Sequence, residues 1–104
     1  MATVYLVLGQ STPAATTLTT LVTGSTNGSI VGSFTACNKA GSTDAIRVAI
    51  TKSGGSAYYQ YYGFNIPANS TIHEQPGWTL ATGDTISVYS TTGNTDFTAT
   101  GVTL

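Results

Sequence analysis

Residues Ala45–Pro67 read AIRVAITKSGGSAYYQYYGFNIP. Ile46, Val48 and Ile50 share one parity and Arg47 and Ala49 the other, the two-residue period of a strand with one buried face. KSGGS supplies a turn. Ala57–Ile66 is then a long second strand, ended by Pro67. In it both parities are aromatic, with Tyr58, Tyr59, Tyr61 and Tyr62 flanking Gln60. A single buried face needs aromatics only at every second position, so the other face is either covered by the chain itself or meets another molecule. Phe64 and Ile66 set the inward parity, which predicts Tyr62, Gln60 and Tyr58 inward and Tyr59 and Tyr61 outward. A bulge near Gly63 would shift that register.

The same period recurs along the chain. Thr3–Leu8, a Thr-rich segment around TTLTTLV, Ser29–Cys37, STIHE, DTISVYS and TDFTATGVTL all read as strands separated by turn residues. No window carries apolar residues at helical spacing. Seven to eight short strands in 104 residues predict one all-β domain over residues 1–104. The expected architecture is an antiparallel β-sandwich, jelly-roll or immunoglobulin-like in wiring. Residues 1–15 are set apart as an N-terminal strand or arm that pairs with a sheet edge in its own or a neighbouring subunit. Cys37, small and in an apolar run, is expected in the core; alone, it forms no intramolecular disulfide.

Charge is scarce. Charged residues are 7% of the chain against roughly 25% in an average globular protein, while Thr and Ser together make up about 30%. Lys39, Arg47 and Lys52 are the only cations, too few for a nucleic-acid surface. The N-terminus lacks a basic start and an apolar run of secretory length, and no stretch approaches a membrane span, so synthesis in the cytoplasm without membrane insertion is expected.

Catalytic groups are equally few. The acids are Asp44, Glu74, Asp84 and Asp96, and His73 is the only imidazole. His73 and Glu74 are adjacent on a strand and point to opposite faces, which is poor geometry for an acid/base pair. One Cys and one His do not complete a zinc site, and nothing resembles a phosphate-binding fingerprint. Asp84, after Gly83, is expected to bond a turn backbone. No catalytic, cofactor-binding or metal residue is therefore assigned, no cofactor is expected, and an enzyme is not.

Three words, FTACNKAGSTDAIRVAI, YYQYYGFNIPANSTI and WTLATGDTISVYSTTGNTDFTATG, follow one another over about Thr20–Val102. Their order resembles a family of small β-sandwich virion proteins of tailed bacteriophages. The resemblance rests on Cys37-Asn38 closing an apolar strand, Ile46–Val48, a tyrosine-rich strand leading to Pro67-Ala68-Asn69, and an apolar-Gly83-Asp84-apolar strand. Gln60 departs from it, standing where such sequences are usually apolar. It implies a capsid decoration (cement) protein, or alternatively a tail, neck or fibre component. The implied partners are the major capsid protein or other virion proteins, the implied state is a homo-oligomer, with a trimer favoured, and the implied location is the virion. Tyr59, Tyr61, Trp78 and Tyr5 are the expected interface residues. A second alternative is a carbohydrate-binding module, with Tyr59, Tyr61 and Trp78 as an aromatic platform and Gln60, Asn65 and Gln75 as polar company.

Overall fold

Ile46 and Val48 are buried and Arg47 between them is half-buried, so the alternation in the sequence is the alternation of a sheet with one face hidden. A computed structural model describes residues 4–104, among which nine strands form two antiparallel sheets packed as a sandwich. They are β1 (Val4–Ser11), β2 (Thr19–Thr23), β3 (Ser29–Asn38), β4 (Asp44–Thr51), β5 (Ala57–Ile66), β6 (Thr71–Glu74), β7 (Trp78–Leu80), β8 (Thr85–Ser90) and β9 (Thr95–Thr103). The N-terminal strand expected from Thr3 begins, among the described residues, at Val4, and it pairs with β9 of its own molecule.

The wiring follows from the pairs. β1 pairs β9, β2 pairs β8, β3 pairs β6 and β7, and β4 pairs β5, which is one long hairpin whose arms stay paired from the chain ends to the β4–β5 turn. Folding that ribbon brings β9 beside β3 and β8 beside β4. One sheet then runs β1-β9-β3-β6, with β7 also on β3, and the other β2-β8-β4-β5. β6 and β7 lie end to end along β3, so they act as one broken strand, and the whole is an eight-strand jelly roll. Of the two wirings the sequence left open, the chain takes that one.

The inner faces interdigitate. Phe34, Ala36, Phe97 and Ala99 from one sheet meet Ile46, Val48, Ile86 and Val88 from the other. Where β1 and β2 close the sandwich on one side, Gly9 lies against the backbone of Leu21; a Cβ there would stand 1.9 Å from the Leu21 carbonyl oxygen. Cys37 is half-buried on the outer face rather than in the core, because Ala36 beside it holds the inward parity.

Buried polar residues fasten the strand ends. The Asn38 side-chain amide donates to the carbonyls of Ser42, at 2.9 Å, and Ile66, at 3.0 Å, tying β3 to β5 of the opposite sheet. Asp44 accepts hydroxyl bonds from Ser90 and Thr95 and amide bonds from Thr91 and Thr92, at 3.0 and 3.1 Å. Burial pushes its carboxyl up, but the hydrogen bonds from Ser90, Thr95 and Thr92 together outweigh it and hold the group below its ordinary value. Asp84 bonds the turn backbone as expected, accepting from the amides of Ala81 and Ser53.

Candidate functional site

β5 is the outermost strand of its sheet and pairs only with β4. The partners are Ile46 with Phe64, Arg47 with Tyr62, Val48 with Tyr61, Ala49 with Tyr59 and Ile50 with Tyr58. Gly63 and Gln60 have no partner, so each is the extra residue of a bulge. Gly63 has φ 69°, a backbone conformation that glycine adopts without steric cost.

The two bulges redistribute the tyrosines. Paired residues share a face, so Tyr62 joins Arg47 on the outer surface, 66% exposed. Tyr61 joins Val48 on the inner surface, where its ring meets Phe34 edge-on at 5.5 Å. Tyr61 therefore points inward, not outward, and Tyr62 outward, not inward; the bulge at Gly63 is the reason. The second bulge restores the count, and Tyr59 faces out as expected, 43% exposed.

Phe64 and Tyr58 lie on the inner parity yet remain exposed. β5 is the edge of its sheet, and the edge of the facing sheet is the strand broken between β6 and β7. Trp78 stacks on Phe34 at 5.6 Å with 14° between the rings. Trp78, Phe34, Tyr61 and Phe64 thus form a continuous aromatic chain across this side, its last link an edge contact of 5.6 Å. Burial, and after it the Glu74 charge, push the Tyr61 phenol up.

The expected interface residues consequently fall in three places. Tyr59 is on the outer face of β5, while Tyr61 and Trp78 are on the inner side, so the three form no common sugar platform. Tyr5, 63% exposed, lies on the outer face of the other sheet, its hydroxyl over Gly32 where a Cβ would come within 2.8 Å.

The sequence reading missed the row that forms on the outer face of β8-β4-β5. Tyr89, Arg47 and Tyr62 are cross-strand neighbours, and the Arg47 guanidinium carbon sits 4.2 Å from the centroid of Tyr62 and 4.3 Å from that of Tyr89. Tyr59 meets Tyr62 edge-on at 5.0 Å, and Ala49, although it faces outward, is fully buried among these larger side chains. A guanidinium between two π faces is held by cation–π attraction and keeps its in-plane N–H donors for other acceptors. Arg47 was legible as an outward residue, but its neighbours depend on a register that single strands do not reveal.

Grooves lie on both sheets. One of about 460 Å³ is lined by Ile50, Lys52, Gly55, Ser56, Tyr58 and Gln60; another includes Gln10, Thr12 and Asp96. Asp96 is engaged by the Thr12 hydroxyl at 2.5 Å and by Lys39 at 3.1 Å. His73 is exposed, paired with Thr35 on the outer face, while Glu74 pairs with Phe34 on the opposite parity. Among the described residues no group of three His, Cys, Asp or Glu side chains is placed to hold a metal ion. Comparison with family models, with curated proteins and with solved structures returns no match.

Proposed function

We propose that the protein is a structural component of a bacteriophage particle, a capsid decoration protein that works by contact rather than by catalysis. The observation that carries this reading is the crowding of exposed aromatics on one outer strand. Among the described residues, Tyr58, Tyr59, Tyr62 and Phe64 are four of the nine exposed large apolar side chains, and all four belong to β5. Tyrosine gives a partner surface large contact area with few rotatable bonds and a hydroxyl for the wet rim. Two of the four acids fit the same reading, since Asp44 and Asp84 are committed to backbone and hydroxyl groups of the fold. The phage setting, and the major capsid protein as partner, come from the sequence resemblance.

The test is to purify virions of the phage whose genome encodes this chain and to locate the protein in them by mass spectrometry and cryo-electron microscopy. Density on the outer shell is the expected result, with β5 toward the neighbouring protein. Density at the tail or neck would move the assignment there, and absence from particles would overturn it.

One observation favours a carbohydrate-binding reading: the groove beside Tyr58 also holds Gln60 and Lys52. Against it, the Gln60 amide nitrogen is turned to its own strand, donating to the Tyr58 carbonyl at 3.2 Å, and the Lys52 ammonium lies 3.8 Å from Asp84. A glycan array with a saturable binder would establish it over the virion reading.

A further inference from the structure

We propose that copies of this chain join head to tail, the Arg47 slot of one copy receiving the Glu74 carboxylate of the next. In a chain with seven charged side chains, the pairing of charges is easily followed. Lys39 holds Asp96, Lys52 lies by Asp84, and Asp44 is enclosed by its hydroxyl and amide donors. Arg47 and Glu74 are left, one of each sign, neither with an ion pair among the described residues.

They cannot meet within one molecule. Arg47 is on the outer face of β4, in the middle of its sheet, and Glu74 is at the end of β6 on the edge of the other sheet, on the inner parity. Both keep access to solvent, since no buried side-chain nitrogen or oxygen lacks a partner. The guanidinium faces are covered by Tyr62 and Tyr89, so its N–H edge is left for a planar acceptor, and a carboxylate matches that fork.

Glu74 ends β6 at the point where pairing with β3 breaks off. Between Glu74, opposite Phe34, and Trp78, opposite Val31, the residues Gln75-Pro76-Gly77 pair with nothing on β3, which itself bulges at Gly32. Pro76, two residues beyond Glu74, lies in this break, and exposed Tyr59 and Tyr62 on the outer face that carries Arg47 offer proline a ring surface. The two surfaces differ, so the contact is heterologous and repeats from copy to copy, closing into a ring where the rotation allows.

The inference rests on the self-association expected in the virion reading, but its test needs no virion. Sedimentation equilibrium of the full chain should show a reversible oligomer. Arg47→Glu and Glu74→Arg should each weaken association about tenfold or more, because like charges then face each other, and the double variant should recover to within about threefold of the wild type. Arg47→Lys, which keeps the charge but loses the planar fork, should weaken it measurably. Melting curves of the variants confirm that each is folded. A wild type that stays monomeric at about 1 mM, far above the range of ordinary specific contacts, overturns the proposal; so do single reversals without effect or a double variant without recovery. Particles are assayed separately: rings that do not load onto virions count against the virion reading alone, and loaded virions with charge-insensitive association count against the ring alone.

Discussion

The two sides of the sandwich are finished in opposite ways. On the β1–β2 side the backbones close on each other: Gly9 lies on the Leu21 carbonyl, Leu21 is buried, and Leu8 packs on the core. On the β5 side a ten-residue strand faces two short ones across a break, and the space is filled by rings that remain partly in solvent. A jelly roll needs apolar contact between its sheets, but nothing requires that both sides be sealed by the same chain. The difference puts backbone closure on one side and leaves exposed aromatic surface on the other, and the proposed virion contact and the proposed head-to-tail contact both draw on that aromatic surface.

The largest effects should come from the closed side. A methyl group at Gly9 meets backbone rather than a yielding side chain, so Gly9→Ala must separate β1 from β2, and Leu21→Ala leaves a cavity. Each should cost about 3 kcal/mol in denaturant unfolding. If either costs less than about 1 kcal/mol, the two sides do not differ in the way described.

Asp44 gives a reference that belongs to neither side. Asp44→Asn keeps one acceptor oxygen but replaces the other with a donor, and should cost about 2 kcal/mol at pH 7. The sign of its pH dependence is fixed by the lowered folded-state value. The stabilisation is present above the unfolded carboxylate value of about 3.9 and is lost as pH falls through the lower folded value. The gap between wild type and variant should therefore be widest at pH 7 and narrow progressively as pH is taken below about 3.9. A gap that stays constant would mean that the bonds act without the charge.

Much of this fold was readable because strands declare their buried face. Ile46, Val48, Ile86, Val88, Phe97 and Ala99 all lie inward where alternation placed them. The failures come from residues whose position depends on counting through an irregularity. In β5 the count began at Phe64 and ran straight through Gly63 and Gln60; the bulge that the sequence allowed near Gly63 is present, with φ 69°, and a second at Gln60, which the sequence did not signal, restores the alternation. Phe64 was given an inward parity and has one, yet on an edge strand that faces only the broken β6–β7 edge this parity leaves it 39% exposed. β7 itself, three residues long, carries too short a pattern to be recognised. The Tyr89–Arg47–Tyr62 row joins three strands distant in sequence, so only the register assembles it.

The smallest expected effects test that redistribution of tyrosines directly. Tyr61 makes edge contacts with Phe34 and Phe64 and is half-buried, so Tyr61→Ala should cost about 1–2 kcal/mol of fold stability, the two aromatic pairs supplying a large part. Tyr62 lies one residue away but is 66% exposed and touches only surface groups. Tyr62→Ala should shift unfolding by less than about 0.5 kcal/mol, while it removes one wall of the Arg47 slot and so weakens association. Without the bulge at Gly63 the two would exchange roles, Tyr62→Ala lowering the melt and Tyr61→Ala leaving it intact. Equal losses from both would mean that the outer face is also packed against protein in the isolated chain, and the contrast between a sealed side and a recognising side would fail with it.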